Sequence, residues 1–251
     1  MIQRALDQKV SYMLLPHIDS KTTGAMNEMA RQFPHCCLPM MGLHPTSVKE
    51  NYTEELALVE KELAEGNYCA IGEVGIDLYW DTTFQKEQEI VFRREIELAE
   101  KYSLPLVIHT RNSLEVAIEI VKDMLKGNCS DNMSPSSHDH INTSPPGVFH
   151  CFPGTVEQAE QVIKLGFYLG IGGVVTYKNS LMAKVVEAIP LEYIVLETDA
   201  PFLSPHPRRG TRNEPAFIPY IAQKIAEIKG ISVDSVAEIT TTNAKRLFRI
   251  I

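Results

Sequence analysis

Four short apolar runs, far apart in the chain, each end on an imidazole or a carboxylate. They are Tyr68-Cys69-Ala70-Ile71-Gly72-Glu73, Leu106-Val107-Ile108-His109, Val148-Phe149-His150 and Ile194-Val195-Leu196-Glu197-Thr198-Asp199. Acidic residues are poor strand formers, and a carboxylate buried alone carries a heavy desolvation penalty. Each run is therefore expected to stop where its polar residue meets a partner, and a metal cation is the partner that satisfies a carboxylate or an imidazole most directly. In the first run Glu73 stands between Gly72 and Gly75, at the point where a strand would end.

Helical patterns separate these runs. Lys21–Phe33, Glu54–Leu63, Gln85–Tyr102, Leu114–Leu125, Val156–Leu165, Met182–Ile189, Ile218–Lys229 and Val233–Leu247 carry apolar residues at helical spacing. Further strands are expected at Val10–His17, Cys36–His44 and Tyr168–Val175, so seven begin near residues 10, 36, 68, 105, 148, 168 and 194. Strands and helices in strict alternation make an α/β fold, a parallel sheet covered by helices. An open doubly wound sheet gathers its site at one switch point. A closed barrel brings together residues from many strand ends on one face, which suits ligands spread over the whole chain. The fold expected is a TIM-type (β/α) barrel, a single domain over 1–251. Eight strands are required and residues 1–9 read as the end of a helix, so the strand missing from the pattern is the first. Either that strand lies before this chain or the barrel closes without it.

Residues 127–147 are polar and rich in turn formers and read as a flexible insertion away from the chemistry. Its His138 and His140 have ligand-like spacing but no scaffold to fix them. The five cysteines (36, 37, 69, 129 and 151) are odd in number and form no Cys-x-x-Cys, the pattern of reduced thiols. With no signal-peptide pattern and no apolar run of membrane length, a cytoplasmic protein without membrane contact is expected. A net charge of −8 excludes a generic basic nucleic-acid surface and leaves only local Lys/Arg clusters for phosphate.

Glu73, His109, His150 and Asp199 make a mixed imidazole and carboxylate set, suited to a divalent ion (Mg, Mn or Zn) that activates water. At this point the sequence resembles a known family. Gly42-Leu43-His44-Pro45, Gly72-Glu73-Val74-Gly75-Ile76-Asp77, His109-Thr110-Arg111, His150-Cys151-Phe152-Pro153-Gly154, Glu197-Thr198-Asp199-Ala200-Pro201 and Arg212-Asn213-Glu214-Pro215 are similar to the motif series of the TatD-related metal-dependent deoxyribonucleases, which belong to the amidohydrolase-like barrels. The resemblance implies one or two divalent metals held by Glu73, His109, His150 and Asp199. It also implies hydrolysis of DNA phosphodiesters, with 3′-to-5′ removal of nucleotides from single strands or 3′ ends. Many relatives open with a His-x-His pair on the first strand, and nothing before Val10 supplies it here.

Within that reading Asp199 orients or deprotonates the attacking water, and Glu197, on the same strand face, tethers a water or a histidine. His44 contacts substrate phosphate. Arg111 binds phosphate or pairs with Glu73 or Asp77. Arg208, Arg209 and Arg212 hold the DNA backbone, unless Arg212 is only a clamp on Glu214. Tyr79, Trp80 and Phe84 stack on bases or pack beneath their loop, and Asp77 caps the turn. Alternation turns Cys151 away from the ligands. The alternatives are another ester or amide hydrolase on the same metal chemistry, such as an aminoacyl-tRNA deacylase, or a catalytically impaired binding barrel. A seam left by the missing strand would favour a homodimer over a monomer.

Overall fold

The structure is a computed structural model that describes residues 1–127 and 146–250. The insertion expected at 127–147, with His138 and His140, lies outside the described residues except at its two ends. Seven strands are described, β1 (Met13–Leu15), β2 (Cys37–Pro39), β3 (Ile71–Asp77), β4 (Leu106–Arg111), β5 (Gly147–Phe149), β6 (Tyr168–Ile171) and β7 (Ile194–Leu196). Among the described residues nine α-helices accompany them: α1 (Ile2–Asp7), α2 (Thr23–Gln32), α3 (Tyr52–Glu65), α4 (Gln85–Tyr102), α5 (Leu114–Gly127), α6 (Val156–Lys164), α7 (Met182–Ala188), α8 (Ile218–Lys229) and α9 (Val233–Phe248).

All strand pairing is parallel, in the orders β1-β2 and β3-β4-β5-β6-β7. The two ladders are continuous through backbone hydrogen bonds. Cys69 N–H donates to Pro39 O, Met41 N–H to Ala70 O and Gly72 N–H to Met41 O, so β2 lies beside β3. Adjacent residues in each strand divide between two cores. Met41, Ile71, Ile108, Phe149, Leu169 and Ile194 face outward and pack with helix residues such as Val59, Phe92, Ile118, Val162, Val185 and Ile221. Their neighbours Met40, Ala70, Val107, Val148, Tyr168 and Val195 form a second cluster, with Leu14 packed against it. One side chain in or directly beside each of seven parallel strands meets in a common interior, the construction of a TIM-type barrel. The end of α9 contributes Ala244, Leu247 and Phe248 to this inner cluster. Among the described residues no strand ladder joins β7 to β1.

The helices end where the sequence signals them. Thr155 and Gln158 form a reciprocal capping box at the start of α6, and Gly230 ends α8 at φ 65°. Four of the expected strands are shorter than the sequence pattern, with Val10–His17 reduced to Met13–Leu15 and Cys36–His44 to Cys37–Pro39. Tyr168–Val175 stops at Ile171, because Gly172-Gly173 opens a 3₁₀ turn over Gly173–Thr176. Ile194–Asp199 stops at Leu196, and Asp199 adopts φ 55°. No helix among the described residues is long and apolar enough to cross a membrane.

Candidate metal centre

The carboxyl ends of the strands bring the predicted ligands together. In the β3–β4 ladder Gly72 pairs with Val107 and Val74 with Ile108, which leaves Glu73 as the extra residue of a bulge. A bulge breaks the alternation and re-aims one side chain, and here that side chain is the buried Glu73 carboxylate. Gly75 follows at φ 126°, and a Cβ there would lie 2.3 Å from His109 O. Only glycine lets β3 and β4 approach this closely at His109.

Glu73 Oε1 is the hub. It lies 2.9 Å from His109 Nδ1, 3.5 Å from His150 Nε2 and 3.7 Å from His44 Nε2. Asp199 Oδ1 stands 3.6 Å from His150 Nε2. Two donors bound to one tetrahedral ion at about 2.1 Å stand about 3.4 Å apart, so the spacings around His150 are those of ligands facing a shared ion. The orientation of the rings agrees. His109 Nε2 is 2.9 Å from Asp77 Oδ2, and His150 Nδ1 is 2.6 Å from Glu197 Oε2. A carboxylate on one ring nitrogen takes the N–H and leaves the other nitrogen bare for a cation. Glu197 also accepts from Cys151 N–H at 2.7 Å. Gly170 makes room for it, since a Cβ there would meet Glu197 Oε2 at 2.5 Å.

His44 differs from these two. His44, Glu73 and His109 offer ligand atoms within 4.8 Å of one another, and the His44 ring lies 4.7 Å from that of His109. But Thr46 N–H donates to His44 Nδ1 at 3.2 Å, so the neutral ring carries its proton on Nε2. That atom is a hydrogen-bond donor facing the centre, not a bare lone pair.

Burial would raise the Glu73 carboxyl, but His150, His109 and His44 override it and hold it well below the usual carboxylate range. Burial would likewise lower His150, yet Glu197, Glu73 and Asp199 push it well above the usual imidazole value. The carboxylates at the centre thus call for positive charge, which protons on the imidazoles or a cation can provide. Residues and spacing fit a divalent ion, and loading it displaces protons, so occupancy weakens as pH falls.

The remaining predicted residues lie at the end of β4, where Arg111 is the last residue, and on the surrounding loops. Arg111 sits over the rings of Tyr79 and Trp80. Among the described residues it has no carboxylate partner, so the expected pairing with Glu73 or Asp77 does not form. Arg208 lies over Phe217 and Tyr220, and Arg209 over Tyr177 at 4.1 Å. Arg212 lines a cavity of about 600 Å³ with Arg4, Arg208 and Phe217. The expected Arg212–Glu214 clamp is replaced, since Glu214 pairs with Arg4 of α1. Asn213 ties this loop beside Asp199 by donating to Thr198 O at 2.6 Å. Phe84 is half-buried against the main core, whereas Tyr79 and Trp80 are exposed. Asp77 caps the turn as expected, through Tyr79 N–H, but its hold on His109 was not foreseen.

A parallel barrel with imidazoles and carboxylates converging at the carboxyl ends of its strands defines a metal-dependent hydrolase of the amidohydrolase-like kind. The family model of TatD-related DNases matches residues 1–249, and the chain belongs to that family. It is 38% identical over 251 residues to an uncharacterized metal-dependent hydrolase, YabD, of Bacillus subtilis (strain 168), covering 100% of this chain and 92% of the relative. It is 31% identical over 257 residues to a 3′-5′ ssDNA/RNA exonuclease TatD of Erwinia tasmaniensis, covering 100% of this chain and 93% of the relative. Among solved structures, a TatD homologue from Escherichia coli K12, YJJV, superposes with TM-score 0.87 at 25% identity, covering 99% of this chain and 90% of that one. A TatD-family hydrolase from Entamoeba histolytica gives TM-score 0.76 and shares the fold.

Proposed function

We infer that the protein is a metal-dependent phosphodiesterase that removes nucleotides from the 3′ ends of single-stranded DNA. The observation that carries this reading is the orientation of two imidazoles. His109 and His150 each give one nitrogen to a carboxylate, Asp77 or Glu197, and turn the other toward Glu73. Glu73, His109, His150 and Asp199 hold one or two divalent ions, and the exonuclease named among the relatives supports a nucleic-acid substrate. A divalent ion held there supplies Lewis acidity at a phosphoryl oxygen and lowers the pKa of water.

Asp199, the most solvent-open of the carboxylates at the centre, accepts the proton of the attacking water. Glu197 positions His150 and does not touch substrate. His44 donates from Nε2 to a phosphate oxygen. Arg111, Arg208, Arg209 and Arg212 supply cationic contacts to the strand on either side, as their exposure on loops next to the centre allows.

The test is hydrolysis of an end-labelled single-stranded oligonucleotide by chelator-treated protein resupplied with Mg, Mn or Zn, beside the Glu73→Ala variant. Activity is expected only with added metal, and the variant should lose about 1,000-fold or more, consistent with several kcal/mol of metal-derived stabilisation. A fully active variant removes the site assignment. Turnover of a small carboxylic-ester panel with none of DNA removes the phosphodiester reading.

A further inference from the structure

The loop after β3 exposes two large rings beside the metal centre. Trp80 is 69% exposed and Tyr79 52% exposed, adjacent in sequence; Phe202, in the loop after β7, is the other Phe, Tyr or Trp ring more than half exposed among the described residues. The pair is fixed in place. Asp77 Oδ1 accepts from Tyr79 N–H at 3.0 Å and from Trp80 N–H at 3.4 Å. The rings meet edge to face with centroids 4.9 Å apart. The Arg111 guanidinium lies 3.8 Å over the Tyr79 ring and 5.0 Å from the Trp80 centroid. Both anchors belong to the centre, since the second oxygen of Asp77 holds His109 and Arg111 follows His109 by two residues on β4.

Packing does not account for this arrangement, because the rings face solvent. Capping by Asp77 fixes the backbone of the turn and the Arg111 stack restrains the rings, so ordering cost at binding is reduced. An apolar protein surface would gain nothing from the guanidinium. A ligand with flat aromatic groups and negative charge uses both, and a nucleotide strand has one of each per residue. We propose that Tyr79, Trp80 and Arg111 form a stacking platform that receives an unpaired nucleobase next to the phosphate being cleaved, and so select single strands over duplex. The proposal rests on the phosphodiesterase reading of the centre. A base inside a duplex is already stacked and its face is closed to the platform, whereas an unpaired base of any identity can use it.

Trp80 is the one tryptophan of the chain, so its emission reports on the platform alone. A short phosphorothioate oligothymidylate is expected to quench that emission saturably, and the same backbone without bases to leave it unchanged. In kinetics, Trp80→Ala should raise KM for single-stranded DNA roughly ten-fold, the scale of one base–aromatic contact, with kcat within about two-fold and Trp80→Phe restoring most of the loss. Unchanged KM in Trp80→Ala, with wild type degrading DNA, overturns the platform and leaves the nuclease reading intact. Base-dependent quenching by a protein that cleaves no strand keeps the platform and overturns the nuclease reading. Equal quenching by the baseless backbone reduces the contact to charge and overturns the proposal. So does an emission change driven by protein concentration alone, which would make the patch a surface for protein contact.

Discussion

The arc from β3 to β7 and the β1–β2 pair are both parallel strands followed by polar residues, yet the carboxylates and the two oriented imidazoles of the centre all come from the arc, and the other pair adds only His44, after β2. The β3–β4 ladder pairs six positions from Ile71 to Asp77, and β3 is buried along its whole length. The β1–β2 ladder pairs three, with only the first residue of each strand buried. His17, just after β1, matches His109 in type and in its place at a strand's carboxyl end, but its ring is used up differently. Nδ1 bonds Gly42 O and Nε2 meets Thr23 Oγ1 at 2.7 Å, while burial pushes its pKa down. Both nitrogens go to neutral groups, so neither is left for a cation. A strand-end histidine becomes a ligand candidate when a carboxylate takes one nitrogen and leaves the other bare. The backbone of His17 serves the arc in another way, since it accepts from Glu73 N–H and donates to Gly72 O.

The sharpest attack on this comparison removes the carboxylates behind the two imidazoles. Glu197→Gln and Asp77→Asn should each weaken cation affinity and hydrolysis by about 10- to 100-fold, the usual effect of losing the partner of a ligating histidine. Titration of chelator-treated protein with a divalent ion, followed by activity, measures both. Wild-type affinity in both variants would mean that ring orientation is set elsewhere and that His17 and His109 differ for another reason.

This contrast was partly legible in the sequence. Glu73, His109, His150 and Asp199 stood out because each ends an apolar run, and a run's length and polarity are local properties. The spacing of Glu197 and Asp199 predicts a shared strand face and a tether for a histidine; the tether forms, on His150, although β7 stops at Leu196. The sequence offers Asp77 as a turn cap or a partner for Arg111 and not as a partner for His109, although it lies four residues from Glu73, a same-face spacing along a strand. The strong cap signal hid its second oxygen. The protonation of His44 depends on Thr46 N–H, which is a matter of loop geometry. The Arg4–Glu214 pair joins residues 210 apart, and no pattern along the chain announces such a contact. On α4, Val91, Glu95 and Leu98 share the spacing of the buried face, and a charge at such a position does not declare its partner.

On the β1–β2 side the expected effect falls on stability and not on cation affinity. His17→Ala removes a fully buried ring and leaves Gly42 O and the Thr23 hydroxyl without it, a loss of about 2–4 kcal/mol in stability from cavity and unpaired groups together. The backbone bonds to Gly72 and Glu73 survive the substitution. Folded variant should therefore bind cation with wild-type affinity while its denaturation midpoint falls. A loss of cation affinity equal to that of Asp77→Asn would erase the distinction between the two regions.

The last effect joins the two regions, through Glu95, and vanishes at about pH 4. This side chain of α4 is fully buried. Its Oε1 accepts from Leu43 N–H at 2.6 Å, next to His44, and its Oε2 has no hydrogen-bond partner among the described residues. Burial pushes its carboxyl well above the usual value, with only the Leu43 N–H opposing. The folded protein then holds a proton that the unfolded chain releases near pH 4.5. The stability this group contributes is complete below that pH and falls as pH rises toward the folded value, by about 1.4 kcal/mol per pH unit within the window. Gln has the same shape as the neutral acid, still accepts from Leu43 N–H and does not titrate. Glu95→Gln should thus match wild type in stability near pH 4 and exceed it increasingly as pH rises, with hydrolysis unchanged because Leu43 and His44 stay in place. Parallel denaturation curves across pH decide it. A gap that stays constant with pH would mean Glu95 is ionised in the fold, and that a cation or an unseen donor reaches its second oxygen.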